Sequence, residues 1–289
     1  MSTAVGTPRV VRLAGQGADP KAVGGKAAAI DRLIAAGVCV PPSAVLTVAT
    51  YRAFVADPGI QATLEGLSDA DLSDAPDAQP VEEAFLAAPM PADVRAAIRQ
   101  AAGDVRDGSD AATLVVRSSA TAEDLESASF AGQYRSVLGV ETDEDLERAV
   151  RLVWASLWGP APRFYRRLHG LDDHAVAMAV LVMRQVPAAT SGVVFTVDPG
   201  GQPGCARVET VQGLAEGLVS GAVTPSAFVV APGTGGSDLP PDAQEALGTA
   251  LGLVDALGTP LDVEWAHDGR QLWVCLLYTS DAADECVKV

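Results

Sequence analysis

Three places in the sequence put charged side chains where they could bind phosphate or metal, and the first is a lysine behind two glycines. Lys26 follows Gly24 and Gly25 in "VGGKAAAIDRLIAAG", at the predicted start of a helix. Free amide groups, the positive end of the helix dipole and an ammonium would meet there and attract an anion. The alternative is a lysine that begins a helix and points into water, and the pattern alone does not separate the two.

The second place is an arginine behind an apolar run. Arg117 ends "LVVR" and is followed by two serines. At the carboxyl end of a strand its guanidinium could hold a phosphate through two parallel hydrogen bonds. The alternative is a structural ion pair with Glu123 or Asp124. The small residues of "SFAGQ", residues 129–133, would then let the backbone approach a polyphosphate closely.

The third place is a pair of carboxylates in "LDVEW". Asp262 and Glu264 are two residues apart in a predicted strand, so their side chains lie on the same face. Two carboxylates that are this close suit a divalent cation, and Mg²⁺ is the natural one beside phosphates. The alternative is the solvated edge of a strand.

The helix and strand patterns around these residues predict a mixed α/β protein with two lobes. Helical periodicity dominates before residue 171, and strand-like runs dominate after it. We predict a helix-rich first lobe over residues 1–185 and a β-rich second lobe over residues 186–274. The second lobe should end in a hairpin with "HDGR" in its turn.

The net charge and the apolar runs of the chain argue against some classes of binding partner. The chain has 289 residues and a formal net charge of −17, which argues against nucleic acid or an anionic membrane surface as a partner. A nucleotide stays compatible with that charge, because a few local cations and a metal decide its binding. The apolar runs are too short to cross a bilayer and the start of the chain lacks a signal-peptide centre, so we predict a cytoplasmic protein without a membrane partner.

The last residues, 275–289, differ in composition from the Ala-, Gly- and Val-rich chain before them. "CLLYTSDAADEC" can be encoded by codons that carry a common transposase sequencing adapter. We therefore predict that residues 275–289 are a sequencing artefact and that the natural protein continues differently. A genuine polar tail is the alternative.

Six blocks of the sequence, taken together, resemble one family. They are "VGGKAAAIDRLIAAGVCVPPSAVLT", "VVRSSATAEDLESASFAGQY", "VRLVWASLWGPAPRFYRRL", "SGVVFTVDP", "GLAEGLVSGAVTP" and "LDVEW", in that order. They are similar to the nucleotide-binding domain of phosphoenolpyruvate synthases, pyruvate phosphate dikinases and rifampicin phosphotransferases. The likeness runs from about residue 10 to residue 274.

The resemblance implies an ATP-grasp-like domain that binds ATP between its two lobes. ATP would phosphorylate a histidine on a separate swivelling domain, and the group would pass to a final acceptor. This is the chemistry of a phosphotransferase with paired acceptors.

The resemblance also implies a role for individual residues. Lys26 and Arg117 would bind phosphates and stabilise charge on the transferring groups. The backbone around Gly132 and Gln133 would cover the phosphates. Glu264, with Asp262, would hold Mg²⁺. Main-chain groups of residues 183–186, among them Met183, Gln185 and Val186, would contact the adenine edge.

Several departures from the family pattern limit these expectations. A Gln-x-Arg strand that should follow the hairpin is missing, and its glutamine would fall at Leu276. Met183-Arg184-Gln185 stands where the family often has Gln-Lys-Met. None of the three histidines lies in the Thr-x-Ser-His type of motif that carries phosphate. The downstream histidine and acceptor domains are therefore missing partners, and we expect this chain alone not to complete the reaction.

Two functional hypotheses follow from the sequence. The first is the ATP-binding domain of a phosphoenolpyruvate synthase-like dikinase that acts on pyruvate, with a rifampicin-type antibiotic phosphotransferase as the alternative within the class. The second is a stand-alone nucleotide-binding module without catalysis.

Overall fold

The computed structural model describes residues 7–67, 79–109, 112–121, 124–125, 128–129, 134–173, 175–214 and 224–279, with the side chains of residues 124–125 and 128–129 left aside. The chain forms two compact units. One consists of Met1–Ala36 and Pro42–Gln185, and the other of Gly37–Pro41 and Val186–Val289. Residues 37–41 group with the second unit because the amide of Val274 donates a hydrogen bond to the carbonyl of Cys39.

The first unit holds eight of the described helices. These are α1 Pro20–Val23, α2 Gly25–Ala35, α3 Val48–Val55, α4 Pro58–Glu65, α5 Gln79–Ala87, α6 Ala92–Arg106, α7 Asp143–Ser156 and α8 Pro160–Leu168. Their core is aromatic where they meet: Trp154 of α7 stacks on Phe54 of α3 with ring centroids 4.9 Å apart. Trp158 donates its indole hydrogen to the Tyr51 hydroxyl at 3.0 Å, so the polar atoms of both rings are paired inside the core.

Seven described strands also belong to the first unit. They are β1 Val10–Arg12, β2 Ser43–Leu46, β3 Leu114–Ala120, β4 Asp124–Leu125, β5 Ala128–Ser129, β6 Ser136–Val140 and β7 Met178–Arg184. Five of them form an antiparallel sheet in the order β1-β2-β7-β3-β6. Six of the seven residues of β7 are buried, which explains its nearly continuous apolar sequence "MAVLVMR". A strand covered on both faces has no polar face to alternate with.

The second unit is mainly a sheet. Its described strands are β8 Thr190–Phe195, β9 Ala206–Gln212, β10 Ser226–Val230, β11 Leu261–His267 and β12 Leu272–Thr279, and one helix is described in it, α9 Pro241–Leu257. The strands pair antiparallel in the order β10-β9-β8-β11-β12. The predicted mixed α/β class is thereby confirmed. Among the described helices, none combines the length and apolar character that a membrane span requires.

The predicted hairpin is also confirmed, and its turn has a clear cause. Asp268 accepts hydrogen bonds from the amides of Arg270 and Gln271 and from the indole of Trp273. These bonds lower the pKa of Asp268, the indole contributing most. Strand β12 then continues to Thr279, and its Leu276 side chain is buried. The strand thus includes the first five residues of the segment predicted to be an artefact.

Candidate functional site

Lys26 lies in the first turn of α2, where the glycine pair predicted a helix start. Its side chain is not directed into water: the residue is only 9% exposed, and its Nζ lies 3.2 Å from the Ser118 hydroxyl oxygen of β3. The ammonium is therefore held against the strand that carries Arg117. This placement argues against the simple alternative of a solvated lysine at a helix start.

Gly24 makes that placement possible. It occupies the N-cap position of α2 with φ of 78°, a conformation that side chains other than glycine rarely adopt. A Cβ atom at this position would lie 1.9 Å from the Ser119 carbonyl oxygen. The backbone of Gly24 thus touches the backbone of β3, and only glycine allows this contact.

Arg117 is located differently from the prediction. It was expected at the carboxyl end of a strand, but it is the fourth of seven residues in β3, and the strand continues through Ala120. The serines behind it remain in the strand because they pair with β7 and are buried, at 2% and 0% exposure. Buried hydroxyls need hydrogen-bond partners, and those of Ser118 and Ser119 find them on α1 and α2.

The predicted adenine contacts lie where β7 ends. Met183 pairs with Ser43 and Val115, and the amides of Arg184 and Gln185 already donate to the carbonyls of Pro42 and Thr113. Those two amides are therefore engaged with the protein itself. The carbonyl of Val186 likewise accepts the amide of Ala188, at 2.8 Å.

Two side chains in the same stretch have structural partners. The Arg184 guanidinium donates to the carbonyls of Val105 and Arg106, where α6 ends and its dipole favours a cation. The Gln185 side-chain oxygen accepts the amide of Gly139 at 2.8 Å. The two residues that differ from the family pattern, Arg184 and Gln185, thus make side-chain hydrogen bonds that hold the end of β7 in place. The adenine role of Met183, Gln185 and Val186 stays a prediction.

Asp262 and Glu264 both lie in β11, as predicted. The register places Tyr278 opposite Asp262 and Leu276 opposite Glu264, so position 276, where the family pattern implies a glutamine, faces Glu264 across the hairpin. Asp262 is 4% exposed, and Glu264 is partly exposed. Within the described part of the chain, no three His, Cys, Asp or Glu side chains group around one possible metal position.

The donor set nevertheless fits one particular metal. Mg²⁺ commonly uses one or two protein carboxylates and completes its shell with water and substrate phosphates. Asp262 and Glu264 supply such a pair on one face of a strand. The other two residues predicted to bind the nucleotide, Gly132 and Gln133, lie outside the described residues.

Asp31 is a buried residue that the sequence interpretation did not identify. Its carboxylate accepts hydrogen bonds from four backbone amides, those of residues 14, 15, 17 and 18, at 2.7–3.1 Å. Burial alone would raise the Asp31 pKa, but the four amides lower it by more, so the pKa lies below its ordinary value. The sequence offers one indication of this site: an aspartate lies on the buried face of the predicted helix, and the segment before that helix contains Gly15 and Gly17.

Asp31 shares α2 with Lys26, so the loop of residues 14–18 and the lysine are attached to the same helix. The bonds link α2 to the segment that follows β1. Helix α2 is thus held at its start by β3 and at its middle by this loop.

Comparison with known proteins gives the family. Residues 20–237 match the family described as "Pyruvate phosphate dikinase, AMP/ATP-binding domain". The match includes Lys26 and Arg117 and ends before Asp262 and Glu264.

Curated relatives are similar over most of this chain. A probable phosphoenolpyruvate synthase of Methanothermobacter thermautotrophicus is 39% identical over 73% of this chain and 32% of its own length. The phosphoenolpyruvate synthase of Aeropyrum pernix is 38% identical over 72% of this chain and 26% of its own length. The prodigiosin synthesizing transferase PigC of Serratia marcescens is 37% identical over 76% of this chain and 23% of its own length. The chain thus spans about a third or less of these relatives.

Among solved structures, the D-alanine-D-alanine ligase from Coxiella burnetii aligns over 88% of this chain and 47% of its own, with a TM-score of 0.37 and 11% identity. A likeness this weak does not establish a shared function. The family match covers well over half of the chain and includes the "VGGK" and "RSSA" segments that meet in the first unit. This chain therefore belongs to the pyruvate phosphate dikinase AMP/ATP-binding domain family.

Proposed function

We propose that this chain binds ATP with Mg²⁺ and serves as the nucleotide-binding part of a phosphoenolpyruvate synthase-like dikinase. The observation that carries the proposal is the contact of the α2 start with β3, which holds the Lys26 ammonium next to the strand of Arg117. The match to an AMP/ATP-binding domain family supports the same ligand. Lysine and arginine side chains with helix-start amides form a setting that favours phosphate.

In this proposal Lys26 and Arg117 of the first unit bind phosphate oxygens and stabilise the charge that develops during phosphoryl transfer. In the second unit Asp262 and Glu264 would hold Mg²⁺, which supplies charge neutralisation on the phosphate oxygens. Gly132 and Gln133 would contribute backbone cover for the phosphates, and residues 183–186 would contact the adenine. The transferred group would go to a histidine on a separate domain and then to pyruvate.

The similar proteins carry different activity names, which bears on the final acceptor. Two of the relatives named above are phosphoenolpyruvate synthases, whereas the third, at similar identity, is a prodigiosin synthesizing transferase. Proteins that are about equally similar to this chain therefore carry different activity names. We propose pyruvate because several relatives carry the synthase name.

Calorimetric titration of the 289-residue chain with ATP and Mg²⁺ tests the nucleotide part. Lys26→Ala and Arg117→Ala should each weaken binding about 10- to 100-fold, because a hydrogen bond to a charged group contributes about 1.5–3 kcal/mol. Lys21→Ala and Arg99→Ala are matched controls, since both side chains are exposed and carry the same charges. Absence of ATP binding in the unmodified chain, or equal effects of the test and control variants, refutes the proposal.

The phosphotransferase part depends on a histidine that lies on a separate domain in this proposal. Mixing this chain with the remaining domains of the Aeropyrum pernix relative should release AMP from ATP if the histidine is phosphorylated. ATP binding without AMP release in that mixture would favour a nucleotide-binding module without catalysis.

A further inference from the structure

The Ser119 hydroxyl joins two uncharged backbone groups that belong to different helices. It donates a hydrogen bond to the carbonyl of Val23, at the end of α1, at 2.7 Å. It also accepts one from the amide of Ala27, in the first turn of α2, at 3.1 Å. The two bonds lie on either side of residues 24–26, so one hydroxyl fixes both ends of the segment that contains Lys26.

Ser119 is fully buried, with 0% of its surface exposed. Its one hydrogen and one of its acceptor sites are used by Val23 and Ala27. A nucleotide could not reach it without displacing the helix start. Ser119 therefore acts on other residues and does not touch a ligand.

The geometry of the strand relates Ser119 to Arg117. Both lie in β3 two residues apart, so their side chains leave the same face of the sheet at a spacing of about 6–7 Å. The start of α2 is attached to that face through Ser119. Ser118 lies between the two, so by the same alternation its side chain leaves the opposite face, and its hydroxyl contacts the Lys26 ammonium. Three consecutive residues of one strand thus carry the arginine, hold the lysine side chain and hold the lysine backbone.

Gly24 shows how closely this contact is fitted. Its backbone approaches Ser119 so closely that a Cβ atom would lie 1.9 Å from the carbonyl oxygen and 2.5 Å from the hydroxyl oxygen. Such packing leaves the helix start little room to shift while the two hydrogen bonds are present. Without them, no hydrogen bond of the Ser119 hydroxyl would hold residues 24–26 at this spacing.

We propose that Ser119 is a positioning residue for nucleotide binding, which sets the distance between Lys26 and Arg117 by holding the start of α2 on β3. The inference rests on the proposed function, because the phosphates of ATP are what the two cations would bind. Loss of the hydroxyl should leave both cations in the chain but no longer at a fixed spacing.

The test is a double-mutant cycle on the 289-residue chain, with ATP and Mg²⁺ affinity measured by calorimetry and stability by urea unfolding. Ser119→Ala should weaken ATP binding about tenfold. In a Lys26→Ala background the same change should have no further effect on ATP affinity, although it should still lower the urea midpoint. A structural role alone would not make the effect on affinity depend on Lys26.

A matched control is available in the second unit. Ser191 is a strand serine, 2% exposed, whose hydroxyl donates to the carbonyl of Gly213 at 2.5 Å. Ser191→Ala removes the same atoms and should lower stability without changing ATP affinity. If Ser119→Ala fails to fold, Ser119→Cys fills the site with a side chain of the same shape, slightly larger, that is a weaker hydrogen-bonding group, and it should give an intermediate loss of affinity.

The outcomes separate the two hypotheses. If the unmodified chain binds ATP and Ser119→Ala binds it equally well, the positioning role is overturned and the proposed function stands. If Ser119→Ala weakens binding by the same factor with and without Lys26, the hydroxyl does not act through the lysine and the inference is again overturned. If the unmodified chain binds no ATP, the proposed function itself is refuted and this inference falls with it.

Discussion

Replacing Asp31 by asparagine should destabilise the first unit strongly. The carboxylate accepts the amides of residues 14 and 15 on one oxygen and those of residues 17 and 18 on the other. In Asp31→Asn one of these oxygens becomes an amide group, which is a donor facing two donors. Two charge-assisted bonds are lost, and the site is only 3% exposed, so bulk water does not replace them easily.

The magnitude follows from those two bonds. Each hydrogen bond to a charged group contributes about 1.5–3 kcal/mol, so the free energy of unfolding should fall by about 3–6 kcal/mol. That is a large part of the stability of an ordinary domain. Asp19→Asn is the matched control: Asp19 caps α1 through one bond to the amide of Lys21, and asparagine caps a helix about as well as aspartate.

Urea unfolding measures the change, and hydrogen exchange of the amides of residues 14–18 locates it. The midpoint should fall clearly in Asp31→Asn and stay nearly constant in Asp19→Asn. Equal midpoints for the two variants, or unchanged protection of the 14–18 amides, would show that the four-amide site contributes little to stability.

The pH dependence gives a second measure of the same site. Four amides hold the folded pKa of Asp31 below the value of about 3.9 found in unfolded chains. A depressed folded pKa adds stability above the unfolded pKa, and this contribution is lost as the pH falls through the folded pKa. The difference in stability between the unmodified chain and Asp31→Asn should therefore shrink below about pH 4.

Two further changes test the packing and the metal proposal. A Cβ atom on Gly192 would lie 1.9 Å from the Glu209 carbonyl oxygen, so Gly192→Ala should lower the free energy of unfolding in urea by about 2–4 kcal/mol. Gly103→Ala, on an open face of α6, should instead raise it by about 1 kcal/mol. Equal effects of the two substitutions would contradict the structure. Leu276→Gln places an amide opposite Glu264 and should lower the stability of the chain. Addition of Mg²⁺ with ATP should restore more stability in this variant than in the control Leu277→Gln, whose side chain leaves the other face of β12. An equal recovery in both variants would argue against metal binding at Glu264.

Much of the fold could be predicted from the sequence, because it depends on local patterns. The apolar run of β7, the turn residues around Asp268 and the periodic helix α7 each contain their structural cause within a few consecutive residues. The helix start at Gly24 is of the same kind, since a glycine there reflects a backbone conformation that other residues avoid. The order of the family blocks then indicated the class of ligand.

The position of Arg117 within its strand could not be predicted in the same way. Two serines behind an apolar run are typical of a strand end, but here they continue β3 because their hydroxyls meet partners almost a hundred residues earlier in the chain. Whether a buried hydroxyl is tolerated depends on such a partner, and local sequence does not contain it.

The amino-acid sequence therefore predicts the chemical groups and the elements that carry them: Lys26 at a helix start, Arg117 in a strand, and Asp262 with Glu264 on one strand face. Which of these groups become neighbours depends on the packing of the folded chain. It placed the lysine against the strand of the arginine through Ser118 and Ser119, and it gave Asp31 its four amides. The physical reason is that periodicity reports which face of an element is buried, whereas hydrogen bonds between distant segments depend on how those faces are packed together.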